Sequence, residues 1–184
     1  MYNNKRIYLR GYNITKDKVM LAIQPKPAQF SENQGSYQVS KNGYIQIDMT
    51  PMEEGSNQII PNSRRTFILL MKSVGDILDL DTRLAYDSAV DEDGTYIQYH
   101  NQQTEPIKVL RINKLPDKRM YRFTYCEISP MGDDSTVSGD PQNVIGIDLS
   151  YGEVKNIQTL VEYSIPIILG WHCIYNPSVV ATNQ

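Results

Sequence analysis

The sequence predicts an α+β protein built mainly from antiparallel strands, and three observations carry that prediction. Apolar residues recur with a period of two, as in Val19, Leu21 and Ile23 or Ile45, Ile47 and Met49, the spacing that turns one face of a strand into a core. Turn-forming residues punctuate these runs at Pro25-Lys26-Pro27, Asn42-Gly43 and Leu115-Pro116-Asp117-Lys118. Helical spacing occurs in Val74, Ile77, Leu78 and Leu80, and again from Ser150 onward.

In chain order, the strand holding Val19, Leu21 and Ile23 is expected to stop at Pro25-Lys26-Pro27, since proline cannot donate to a ladder. Ser36 to Ser40 reads as a short strand. Asn42-Gly43 reads as a two-residue hairpin turn into a strand over Tyr44–Thr50, with Tyr44, Gln46 and Asp48 on the face opposite Ile45, Ile47 and Met49. A polar loop from Pro51 to Pro61 follows. Arg64–Met71 is the next strand, its run Phe67-Ile68-Leu69-Leu70-Met71 apolar enough for burial on both faces. After the short helix come strands over Thr95–His100, Pro106–Lys114, Met120–Ile128 and Asn143–Leu149. Ser150-Tyr151-Gly152-Glu153 matches a capping box, in which the hydroxyl and the carboxylate satisfy free amides at a helix start. Val154, Ile157, Leu160, Val161 and Ser164 continue that helix. Pro166 is expected to kink or break it, giving a helix–turn–helix end.

A chain of 184 residues suits one domain, here an arm over 1–12, a domain over 13–176 and a tail over 177–184. Thirteen tyrosines against three phenylalanines favour strand and contact surfaces, where an amphipathic ring is at home. The two cysteines, Cys126 and Cys173, form no CxxC pair, and His100 and His172 no zinc-binding pattern. The longest apolar run, Ile165 to Trp171, falls far short of the roughly 18 to 20 residues that span a bilayer, so no membrane insertion is expected. No nucleophile elbow, P-loop or dinucleotide-binding glycine pattern occurs, and the carboxylates of Asp91-Glu92-Asp93 and Asp133-Asp134 lack EF-hand spacing. A binding module is expected rather than an enzyme, with no cofactor and no metal. The net charge of −3 conceals segregation: residues 1–72 carry +5, 73–105 carry −7, 106–125 carry +5 and 126–184 carry −6. A polyanion would be drawn to the two basic blocks. Lys5, Arg6, Arg10 and Lys16 precede the first acidic residue, which fits either a remnant of a mitochondrial targeting segment or a charged arm.

Several blocks resemble a known family. Lys16-Asp17-Lys18-Val19-Met20-Leu21-Ala22 is similar to a K-G-K-A-A-L-T block, and Pro25-Lys26-Pro27-Ala28-Gln29-Phe30 to the P-x-P-x-F segment after it. Ser40-Lys41-Asn42-Gly43 resembles S-K-D-G, and Ser63-Arg64-Arg65-Thr66-Phe67 resembles S-R-K-x-x-F. Lys108-Val109-Leu110 and Leu115-Pro116-Asp117 lie in register with K-V-L and L-P-D, and Ile168-Leu169-Gly170-Trp171-His172 resembles L-L-G-W-H. Together, over residues 7 to 175, these resemble the Whirly family. That resemblance implies two antiparallel four-stranded sheets packed crosswise, a short mid-chain helix, and a C-terminal helix–turn–helix that assembles a tetramer. It implies single-strand binding along sheet edges with bases stacked between side chains. Guide-RNA-binding proteins of kinetoplastid mitochondria share that fold. Asp17 departs from the pattern at its glycine, and an acidic stretch, Asp87 to Asp93, departs from it mid-chain.

The resemblance and the basic first block nominate nucleic-acid contacts at Lys16, Lys18, Leu21, Lys26, Tyr37, Lys41, Tyr44, Arg64 and Arg65. Lysines serve phosphates or merely guard a strand edge, and tyrosines stack on bases or on cross-strand neighbours. Phe30 reads as packing, and one of Arg64 and Arg65 as paired with an acid. Arg111, Lys114, Lys118 and Arg122 read as a solvated face. Ile168, Leu169 and Trp171 are assigned to oligomerisation, as a homotetramer or with a related chain. The function expected is single-stranded DNA or RNA binding in an organelle, the mitochondrion or else the plastid, with the nucleus a further possibility. The rival is a structural subunit recruited into a large mitochondrial assembly, a ribosome or respiratory complex, which Asp17, the net negative charge and the acidic stretch favour.

Overall fold

The computed structural model describes residues 11–56, 58–81, 95–100, 106–115, 118–128, 142–171 and 173, with 95–100 described for backbone only. Strands β1 (Tyr12–Lys16), β2 (Val19–Lys26), β5 (Tyr44–Pro51) and β6 (Arg65–Leu69) form one antiparallel sheet in the order β1-β2-β5-β6. Strands β7 (Thr95–His100), β8 (Ile107–Leu115), β9 (Met120–Ile128) and β10 (Gln142–Ser150) form the second, in the order β10-β9-β8-β7. A separate two-stranded ribbon, β3 (Gln29–Asn33) with β4 (Ser36–Lys41), is inserted between β2 and β5. Helix α1 (Met71–Leu78) links the sheets, and helix α2 (Tyr151–Ile168) closes the described part of the chain. Among the described residues, two four-stranded antiparallel sheets, the ribbon and helices α1 and α2 make the α+β architecture that the sequence predicts.

The period-two pattern does what strand geometry requires. Leu21, Ile23, Ile45, Ile47, Met49, Phe67 and Leu69 from the first sheet meet Leu110, Ile112, Tyr121, Phe123, Tyr125, Ile147 and Leu149 from the second in one core. Val74 and Ile77 of α1 and Val154, Ile157, Val161 and Ile168 of α2 join it. The side-chain amide of Gln158 donates to the carbonyls of Ile77 and Leu78 (3.0 and 3.2 Å), so α2 satisfies the free end of α1.

Four local expectations are corrected. First, β2 runs through Pro25: β1 pairs with it only as far as Ile23, so Pro25 lies in a stretch with a single neighbour, where a strand tolerates the missing amide. Second, Asn42-Gly43 is not a hairpin turn. Strand β4 pairs with β3 and β5 with β2, and Gly43 is the corner where the chain passes from ribbon to sheet. A Cβ there would lie 2.3 Å from the Lys26 carbonyl, 2.7 Å from the Ile168 Cα and 2.9 Å from the Ala28 nitrogen, so glycine is required by close approach of backbone. Third, Phe67 to Met71 is not buried on both faces: Phe67 and Leu69 are buried, Leu70 is exposed, and Met71 already begins α1. Fourth, Pro166 neither breaks nor ends α2. It falls in the last turn of a helix whose buried face is already anchored, and the chain leaves at Gly170, where φ is +76°. The second arm of the expected helix–turn–helix, like the acidic stretch and His172, lies outside the described residues.

Candidate nucleic-acid interface

Two of the nominated lysines, Lys16 and Lys18, fall at a tight turn between β1 and β2. Lys16 pairs with Val19 across a two-residue hairpin whose central residues, Asp17 and Lys18, both have positive φ (47° and 64°). A primed hairpin turn demands that geometry, which accounts for the glycine in the Whirly pattern and for the tolerance of Asp17. Lys16 does not face solvent freely. Its ammonium donates to Glu153 Oε2 at 2.6 Å, and the same oxygen accepts from the Ser150 amide (2.7 Å) and the Ser150 hydroxyl (2.8 Å). Burial pushes the Glu153 carboxyl up, but the bonds from Lys16 and Ser150 outweigh it and hold it below its usual range. The capping box expected at Ser150 is therefore present, and Lys16 is its third member. Lys18 pairs with Glu54 in an exposed contact that solvent screens. Asp17 borders a depression lined also by Arg122, Thr124, Gly146 and Asp148 of the second sheet.

Leu21 is fully buried in the core, since β2 turns its odd-numbered side chains inward; its nomination as a nucleic-acid contact is corrected. The outer face of the first sheet carries Lys26 beside its register partner Tyr44, both half-buried, then Gln24 beside Gln46 and Ala22 beside Asp48. Tyr37 and Lys41 are exposed on the ribbon. Phe30 is a packing residue, as expected: its ring abuts Gly170, where a Cβ would meet it at 2.7 Å, with Val39 alongside. The two arginines part company. Arg65 donates to Asn143 Oδ1 (3.2 Å), and Asn143 donates to Glu127 (2.6 Å), stitching the sheets together. Arg64 is exposed and flanks a groove of about 570 Å³ between the sheet's outer face and the loop before β6.

That groove contains residues the sequence reading passed over. Met20 and Ala22 line it with Ile59, Asn62, Asp48 and Thr50. Asp48 is only 9% exposed; its oxygens accept from Gln46 Nε2 (2.7 Å) and Thr66 Oγ1 (2.6 Å). Thr50 is 2% exposed and its hydroxyl has no hydrogen-bond partner. The alternation of Gln46, Asp48 and Thr50 with Ile45, Ile47 and Met49 was the available signal, but it does not reveal burial on the polar side.

The second basic block is less free than a solvated face. Arg122 forms two bonds to Asp148 (2.7 and 2.9 Å), and Lys114 donates to Asp81 (2.7 Å), while Lys118 is exposed and Arg111 half-buried. At the end of α2, Ile168 is fully buried in the protomer's own core, because it lies on the helix face with Val161 and Ser164; its assignment to oligomerisation is corrected. Past the helix end, Leu169 is half-buried and Trp171 is 54% exposed, while Tyr163 on α2 is 76% exposed. Among the described residues no three His, Cys, Asp or Glu side chains gather as metal ligands, and no helix is long and apolar enough to cross a membrane.

No family model matches the chain. Among curated proteins it is 22% identical over 167 residues to the single-stranded DNA-binding protein WHY1, chloroplastic, of Solanum tuberosum, covering 90% of this chain and 57% of that one. The protein of the same name from Zea mays is 25% identical over 162 residues, covering 88% and 56%. The chain thus spans under three-fifths of the length of these relatives. Among solved structures it matches the plant transcriptional regulator PBF-2 with a TM-score of 0.71 at 20% identity, over 94% of this chain and 97% of that one. It matches WHY3 from Arabidopsis thaliana with a TM-score of 0.70 at 18% identity, over 98% and 99%. The resemblance first met in short blocks holds along the sequence and through both sheets and the closing helix: this chain is Whirly-like and has the Whirly fold.

Proposed function

We propose that this chain is a non-enzymatic module that binds single-stranded nucleic acid across the outer face of the first sheet and the β3–β4 ribbon. One observation carries the reading. Lys26 stands beside Tyr44, Tyr37 and Lys41 follow on the ribbon, Arg64 flanks the groove, and none of these three cations is ion-paired among the described residues. Rings that stack on bases, interleaved with cations that meet phosphates, are what single-strand binding requires. The names of both curated relatives support it, and their chloroplastic designation favours a plastid over a mitochondrion. Trp171, Leu169 and Tyr163 supply an apolar surface for assembly into a tetramer or with a related chain. Fluorescence anisotropy across a salt series tests the reading. A preference for single strands over duplex is expected, with log affinity falling by about 0.7 per phosphate contact per decade of salt. Absence of binding at low salt would refute it.

The structural-subunit reading draws on one feature, the loss of Lys16 to Glu153 in a chain of net charge −3. Migration with a megadalton particle, instead of at about 85 kDa for four chains of 21.1 kDa, would favour it.

A further inference from the structure

The groove beside Arg64 has a chemistry that a general strand-binding surface does not need. Met20, Ala22 and Ile59 give it an apolar lining, suited to the flat face of a ring. Against that lining stands a nearly buried carboxylate. Asp48 is fixed by Gln46 and Thr66, one donor to each oxygen, and each oxygen keeps acceptor capacity. Next to it the Thr50 hydroxyl is buried without a partner, which leaves its donor and acceptor capacity unused. Asn62 adds an amide, and Arg64 a guanidinium on the solvent side.

A carboxylate repels phosphate, so this groove is not a backbone contact. What it fits is a base edge rich in donors. On its pairing edge guanine presents N1–H and N2–H side by side. Adenine and cytosine each pair one amino group with a ring acceptor, and thymine or uracil sets a single N–H between two carbonyls. Only guanine offers a carboxylate two adjacent donors, and its O6 then falls where a hydroxyl or amide can donate. We infer that the groove lined by Met20, Ala22, Asp48, Thr50, Asn62 and Arg64 is a guanine-reading pocket. It rests on the strand-binding reading and adds base preference to it. Asp48 accepts from N1–H and N2–H, Thr50 or Asn62 donates to O6, and Arg64 meets the flanking phosphate.

The test compares labelled thymine strands of about 12 nucleotides, within the roughly 4–16 that a single-strand-binding OB-fold covers, that differ by a single central guanine or adenine. The guanine strand is expected to bind about tenfold more tightly, the discrimination that one bidentate base contact provides. Asp48→Asn, close in shape but no longer a double acceptor, is expected to bring the guanine-to-adenine ratio near one. Thr50→Val, which replaces the unpartnered hydroxyl by a methyl, is expected to lower the ratio several-fold with a melting temperature no lower than wild type. A wild-type ratio near one, with the thymine strand still bound, overturns the pocket and leaves strand binding standing. A ratio that persists in a folded Asp48→Asn protein also overturns it. Failure of every strand to bind overturns strand binding, and the pocket with it.

Discussion

Replacing Lys16 distinguishes a phosphate contact from a fold clamp. Its ammonium lies 2.6 Å from Glu153 Oε2, with side chains 32% and 22% exposed, so solvent screens the pair only in part. Partly exposed pairs contribute about 0.5–1 kcal/mol, and a capping box about 1 kcal/mol more. Lys16→Met retains the aliphatic stem and is expected to cost about 0.5–1 kcal/mol; Glu153→Ala, which removes the cap as well, about 2 kcal/mol. For a chain of this size a kcal/mol moves the melting temperature by about 2–4 °C, so the two variants should melt about 1–4 and 4–8 °C below wild type. Circular dichroism melts measure this, and a salt series of single-strand binding on the same Lys16→Met protein supplies the second readout. A fold clamp lowers the melting temperature and leaves the salt slope alone. A slope reduced by about 0.7, one contact's worth, with an unchanged melting temperature would refute the assignment.

Other perturbations have equally definite outcomes. Gly43→Ala pushes a Cβ into the backbone at Lys26, Ile168 and Ala28 and should cost about 3 kcal/mol in urea denaturation. Ile168→Ala should destabilise the protomer by about 2–4 kcal/mol, whereas Trp171→Ala should leave protomer stability unchanged and lower the mass seen by light scattering. The carboxyls of Asp81 and Asp148 are held low chiefly by hydrogen bonds from Lys114 and Arg122. Those of Glu153 and Glu127 are pushed up by burial but brought below their usual range by their hydrogen bonds. Depressed folded values mean stability that is complete above the unfolded values of 3.8 and 4.5 and lost as pH falls through the folded ones. Calorimetry should find a level melting temperature from about pH 8 to 5 and a fall below about pH 4.

Strand alternation was legible because a core face must be apolar every second residue, so Ile23, Ile47 and Met49 announced their burial, and the same pattern argued against the nomination of Leu21. The capping box was legible because it is local. Pairing was not: Asn42-Gly43 carries a hairpin signal, yet what fixes its conformation is the end of a helix more than 120 residues away, at Ile168. Pro166 misled for a related reason, since the buried face of α2 outweighs a local penalty in the last turn. At the candidate site the exposed residues, Tyr37, Lys41 and Arg64, could be named from the sequence. The partners that withdraw Lys16 and Arg65, Glu153 and Asn143, come from distant strands and caps and could not.

The corner at Gly43 also has a thermodynamic meaning. The amides of Ala28 and Gly43, one at each root of the ribbon, donate to the Ile167 and Ile168 carbonyls (3.3 and 2.8 Å), while Phe30 and Val39 rest on Gly170 next to exposed Trp171. The ribbon proposed to meet a strand and the apolar surface proposed for assembly are thus anchored to one turn of backbone. A ligand that shifts the ribbon would act on the helix end through these same contacts. By linkage, whatever factor assembly contributes to strand affinity, strand binding returns to assembly.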